Sequence, residues 1–192
     1  QTFNNYKFSI GGNMQYSNYS NNTLYPFYEI NYKTSIDLIK YGFFAKSNRR
    51  FFDDRLGVSL GIRVDQDNFT IDNNLLKNFS PRIAVSWSIS KNNRWKLNFA
   101  TGRYFKIPTY TILGFKNLNN NFVNNDSKYT RSDHLVFGIE FNNSESSRFS
   151  LEAFNKRYNN YPISINDMVS LANKGGDFEV LGNENVSTSG RG

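Results

Sequence analysis

The stretch RLGVSLGIRVD, from Arg55 to Asp65, repeats with a period of two. Leu56, Val58, Leu60, Ile62 and Val64 alternate with Gly57, Ser59, Gly61, Arg63 and Asp65. Successive side chains of an extended chain point to opposite faces, so the stretch specifies a strand with one apolar face and one face of small or charged residues. A soluble β-sandwich and a membrane β-barrel both use such strands.

The same alternation recurs along the chain. Phe8, Ile10 and Met14 alternate with Ser9, Gly11, Asn13 and Gln15, and residues 36–46 read as a less regular strand. Ile83, Val85, Trp87 and Ile89 alternate with Arg82, Ala84, Ser86 and Ser88, and Trp95, Leu97 and Phe99 with Lys96, Asn98 and Ala100. Leu135, Phe137, Ile139 and Phe141 oppose His134, Gly138 and Glu140, with Val136 out of pattern. Phe149, Leu151 and Ala153 oppose Ser150, Glu152 and Lys156, with Phe154 out of pattern. That makes about seven strands, and no segment carries a helical period.

Their connections fall into two classes in strict turn. Short ones at 48–54, 91–94 and 143–147 alternate with long, Asn-rich ones at about 18–34, 67–78, 106–131 and after 160. Tight turns on one side and long loops on the other are the habit of an outer-membrane meander.

The chain has 192 residues, enough for one domain, and its aromatic content of 17% excludes a disordered chain. A net charge of +7 favours an anionic neighbour such as lipid head groups or lipopolysaccharide phosphate. Lys and Arg are scattered apart from Asn48–Arg50, so no nucleic-acid partner is expected. The absence of cysteine removes disulfides and thiolate metal sites. No apolar run approaches the roughly 20 residues of a membrane helix, whereas a membrane strand needs only about 9 to 11, every second one apolar.

Aromatic placement points to a membrane. Trp87 and Trp95 flank one tight turn, and Phe79 and Phe105 sit at the loop ends of the same two strands. All four are expected at the membrane interfaces, although a sandwich would use the same rings as core. The opposite face, rich in Gly, Ser, Ala and Asn, suits a crowded wet lumen better than bulk water.

Six segments, read in order, resemble a known family. YGFFAKSNRRFFDDRLGVSLGIRVD (41–65), FSPRIAVSWSIS (79–90), WKLNFATGRYFKIPTY (95–110), RSDHLVFGIEF (131–141), RFSLEAFNKRYNNYPIS (148–164) and NKGGDFEVLGNENVSTSGRG (173–192) are similar to the later barrel of TonB-dependent outer-membrane receptors, particularly those of Bacteroidota. The resemblance implies an all-β, antiparallel up-and-down transmembrane β-barrel segment, seven to eight strands of a barrel of about 22. It implies a bacterial outer-membrane location and a lumen filled by a plug domain. It also implies energised uptake of a scarce nutrient (siderophore, cobalamin, oligosaccharide or peptide) when TonB and its inner-membrane energising complex pull on that plug. A surface lipoprotein lid is a further partner compatible with it. Nothing in the chain resembles a plug, a TonB-contacting box or the terminal aromatic that closes such barrels. Two strand edges are left unpaired, which lipid does not tolerate, so the expectation is a portion of a larger receptor.

Catalytic chemistry is not expected, nor a metal or cofactor. His134 is the single histidine, and its neighbour Asp133 points to the other strand face, so it reads as a lumen or rim residue. Glu140 and Glu152 share a face and could suggest a glycosidase pair, but a charge ladder with Lys156 and Arg82 is favoured. Arg63, Asp65 and Arg82, on the polar face near the loop ends, are candidates to hold the plug or line a vestibule for an anionic substrate, with a plain interstrand ion cluster the favoured alternative. In the loop 106–130, Tyr110, Phe115, Phe122 and Tyr129 are candidate platforms for a sugar or peptide, or else seal the barrel top. Gly175–Asp177 reads as a turn. Arg103, on the lipid side, is placed to meet lipopolysaccharide phosphate. Two alternatives remain: a soluble β-sandwich or barrel that binds carbohydrate, and a small self-contained outer-membrane barrel acting as an adhesin or pore.

Overall fold

The computed structural model describes residues 2–3, 6–26, 30–71, 74–90, 92, 94–144, 146–174 and 184–192. They form one antiparallel sheet in which every strand pairs with its neighbours in sequence. The strands are β1 (Thr2–Phe3), β2 (Tyr6–Tyr25), β3 (Ile30–Phe51), β4 (Leu56–Asp67), β5 (Ser80–Ser88), β6 (Trp95–Lys106), β7 (Thr130–Ser144), β8 (Ser147–Ser164) and β9 (Val186–Arg191). Two short helical turns, Leu75–Asn78 and Tyr110–Leu113, lie in the long connections. No helix among the described residues is long and apolar enough to cross a membrane. The up-and-down reading of the sequence is the fold, with β1 and β9 as short outer members.

Cross-strand partners share a face, so the ladders carry the alternation across the sheet. Leu60 pairs with Ile83, Ile83 with Thr101, and Thr101 with Leu135. The face so defined is apolar and uncovered: Leu60 is 50% exposed, Phe137 45% and Leu151 75%. The opposite, inward face carries Ser59, Gly61, Ala84, Ala100 and Gly138. An uncovered apolar face this extensive requires a non-aqueous neighbour.

One expectation needs correcting. The supposed loop at 18–34 is mostly strand, because β2 and β3 pair without a slip from Tyr6↔Arg49 to Tyr25↔Ile30. The period is hidden there because the outward positions Asn18, Ser20 and Asn22 of β2 are polar, while the inward residues Tyr32, Thr34, Ile36 and Leu38 of β3 are buried. The apolar residues of β3 therefore change sides: Ile36 and Leu38 point inward, Phe43 and Ala45 outward. This is why residues 36–46 read as irregular.

What covers Ile36 and Leu38 is the connection after β6. Leu113 is fully buried against them, and Tyr19, Phe69, Ile107, Tyr110 and Phe122 pack around the three. The long connections on this side thus form a cap with its own small core. On the other side, Arg55 ties two tight turns together, donating to the carbonyls of Ser88 (3.2 Å) and Ile89 (3.0 Å).

Candidate functional site

The cap is built from buried polar groups as much as from rings. Asp67, at the end of β4, is buried and accepts from the backbone N–H groups of Phe69 (2.8 Å) and Thr70 (2.7 Å), from Thr70 Oγ1 (2.8 Å) and from Tyr129 Oη (2.7 Å). One carboxylate therefore both turns the chain after β4 and holds the last residue before β7. Burial, reinforced by that carboxylate, holds the Tyr129 phenol well above its ordinary range. Asn124, also fully buried, donates to the carbonyls of Ile112 (2.9 Å) and Glu184 (2.8 Å) and accepts from Val186 N–H (3.0 Å). It joins the connection 107–129 to the one before β9.

The other aromatic candidates of this loop are partnered too. Tyr110 packs 5.9 Å from Tyr19 and donates to Ser17 Oγ (3.3 Å). Phe115 meets Tyr32 edge-on at 5.6 Å, and Phe122 meets Phe69 edge-on at 5.2 Å. In the connection after β8, Lys174 Nζ bridges Asp167 (2.7 Å) and Glu184 (2.7 Å). Hydrogen bonds from Lys174 and from the Val169 N–H hold the Asp167 carboxyl down at about 2. Gly175–Asp177 lies outside the described residues.

Below the cap, the inward face carries the charged candidates. Arg63 makes two hydrogen bonds to the Asp65 carboxylate (2.6 and 2.5 Å) and a third to Asn13 Oδ1 (2.8 Å). Gly42 is required beside this pair, since a Cβ there would collide with the Asp65 carboxylate. Glu140 pairs with Arg148 (2.9 Å) and Lys96 (3.7 Å), so its ladder partners are not Lys156 and Arg82.

Arg82 has no ion pair among the described residues. Its guanidinium lies over the Tyr104 ring at 4.4 Å, and Tyr104 in turn stacks on His134 at 4.6 Å. His134 Nε2 lies 2.6 Å from Ser132 Oγ. The register sets Lys46, Gly61, Arg82, Gly102, His134 and Lys156 in a single inward row. Gly102 leaves the room that Arg82 and Tyr104 fill, since a Cβ there would lie 3.2 Å from both. A hollow of about 400 Å³ opens over this row, lined by Phe44, Lys46, Gly61, Arg63, Arg82 and Tyr104. Lys46, Arg82 and Lys156 form a band without carboxylate partners among the described residues, suited to an anionic group. Glu152 lines a second hollow nearer the tight turns.

The interface candidates Trp87, Trp95 and Phe105 fall on the outward face, where Trp95 stacks with Phe141 at 4.5 Å, and Phe79, just before β5, is exposed. Sequence reasoning missed Asp67 and Asn124. The Asp-x-x-Thr spacing of Asp67 and Thr70 was a usable turn signal. Nothing marked Asn124 among the many asparagines of its loop.

A protein-family model described as "TonB dependent receptor-like, beta-barrel" matches residues 1–191. Comparison with curated proteins returns no significant match.

Proposed function

From the premise that this chain belongs to the TonB-dependent receptor-like β-barrel family, we propose that it forms part of the wall and mouth of an outer-membrane receptor that takes up a scarce nutrient at the expense of the inner-membrane proton gradient. The family is one of outer-membrane receptors. The observation that supports the reading most directly is the uncovered apolar face of β4–β8, set back to back with an inward face of small and charged residues.

In this reading the outward face meets lipid and the tight turns lie in the periplasm. The sheet is open among the described residues, since β1 and β9 do not pair. Further strands therefore complete the barrel, because lipid leaves no strand edge unpaired. The inward band of Lys46, Arg82 and Lys156, with Arg63, Asp65, Glu140 and Glu152 around it, faces the plug and the path of the substrate. TonB acts on that plug, not on this wall. Tyr110, Phe115, Phe122 and Tyr129 hold the mouth closed, and they meet a siderophore, cobalamin, oligosaccharide or peptide when the loops part.

The test compares accumulation of one labelled representative of each of these four classes, in cells with and without the protein. At least one class is expected to enter only when the protein is present and the proton gradient intact. Protein-dependent entry that persists after the gradient is collapsed would overturn the energised reading.

A further inference from the structure

The outward face of β4–β8 carries four charged residues, and all four converge. Arg103 on β6, Asp133 on β7 and Arg157 on β8 stand in one cross-strand row, with Arg131 two positions before Asp133 on the same face. Arg103 Nε donates to Asp133 Oδ1 at 2.8 Å, and Arg131 Nε lies 3.2 Å from Asp133 Oδ2. Arg157 is exposed and has no ion pair among the described residues. Two guanidiniums paired to one carboxylate, with a third on the residue across the strand from it, leave a surplus of two positive charges on a face of β4–β8 otherwise free of charge.

Position gives this cluster a meaning. It sits at the loop ends of β6 and β7, and the apolar rows run from it toward the tight turns: Thr101, Phe99, Leu97 and Trp95 on β6, and Leu135, Phe137, Ile139 and Phe141 on β7. Charge on the lipid side of a barrel is costly at mid-bilayer and tolerated only near the interface. A guanidinium there is best satisfied by a bidentate oxyanion. Resting on the outer-membrane reading above, we propose that Arg103, Arg131 and Arg157 bind the phosphate of an outer-leaflet glycolipid whose acyl chains lie along the apolar rows beneath. Asp133 holds Arg103 and Arg131 in place, and Arg157 supplies the free fork. The doubly charged phosphate monoester of a lipid A-type head matches the surplus.

The test uses the whole protein in a non-ionic detergent, with native mass spectrometry reading bound lipid. Its probes are diphosphorylated lipid A, the same lipid without phosphates, and inorganic phosphate. Retention of the phosphorylated lipid is expected to exceed that of the dephosphorylated one by at least about tenfold. Arg157→Gln is expected to cost about tenfold, because it removes a fork without breaking the Arg103–Asp133 pair. Arg103→Gln combined with Arg157→Gln is expected to abolish the preference, and Lys33→Gln, outward on the β2–β3 hairpin, to leave it unchanged. Equal retention of the two lipids, unchanged binding by Arg157→Gln and the double variant, or displacement of the lipid by micromolar inorganic phosphate would each overturn the proposal. A protein that does not enter lipid vesicles at all overturns the outer-membrane reading instead.

Discussion

Two parts of β3 follow opposite rules on one uninterrupted pleat. From Tyr32 to Leu38 the buried side chains point inward, beneath the cap; beyond Gly42, Phe43, Ala45 and Phe51 point outward, and of the apolar side chains only Phe44 stays on the inward face, against Gly11. The ladders to β2 and β4 run through this change without a bulge, so the switch lies in the choice of residues. The surroundings explain it. In the outer-membrane reading proposed above, apolar groups belong outside where lipid flanks the sheet, and on the side that loops can cover where it stands in water. Gly42 and Tyr41 mark the crossing. On the outward face just above it, Tyr16 and Asn18 hydrogen-bond to Asp37 at 2.6 and 2.9 Å, a polar contact suited to a membrane surface.

The contrast between cap and wall predicts which substitutions each region resents. Leu113→Ala removes the centre of the cap core and is expected to cost about 2–5 kcal/mol locally. Hydrogen exchange would rise across 107–129 and leave β4–β8 protected; uniform loosening of both would dissolve the distinction. In the wall, Ile83→Arg places a charge on the lipid side and is expected to cost about 2–4 kcal/mol, while Ala84→Arg, one residue on and facing inward, costs far less. Equal damage from the two, in a urea unfolding series in lipid, would mean the faces are misassigned.

Asn124→Ala leaves buried partners unsatisfied and is expected to cost about 1–3 kcal/mol. It would raise exchange on both sides of the junction, at 107–129 and at 186–191. The smallest effect is a pH response. Tyr129 keeps its proton more tightly when folded, so its contribution is whole below tyrosine's ordinary 10.0 and fades as pH rises past it. Cap exchange, corrected for the intrinsic base-catalysed rate, would rise above that pH in the wild type. Tyr129→Phe would lack this transition.

The wall was legible in the sequence because one uncovered apolar face imposes one rule on every second residue. RLGVSLGIRVD states that rule five times over. The cap was legible only in its rings, since its folding depends on contacts between connections far apart in sequence. Asn124 reaches Glu184 and Val186 across about sixty positions, and no local pattern announces that. The ion pairs were half legible. That Arg63, Asp65 and Glu140 would be paired followed from parity, but their particular partners depend on the register between strands. Parity likewise put Arg82 on the inner face, whereas its stacking on Tyr104 rests on the space that Gly102 leaves.

The most direct test of the two-rule sheet places single labels in these 192 residues, which contain no cysteine of their own. Spin labels would be set one at a time along the outward face of β2, at Phe8, Ile10, Met14, Asn18 and Asn22, and at Leu60, Ile83 and Phe137, with the protein in lipid vesicles. Labels at Phe8, Ile10, Met14, Leu60, Ile83 and Phe137 are predicted to collide with oxygen dissolved in the bilayer. Those at Asn18 and Asn22 should collide with a water-soluble nickel reagent, the change falling between Met14 and Asn18. Nickel access throughout, at Leu60, Ile83 and Phe137 as at Asn22, would contradict a lipid-facing wall.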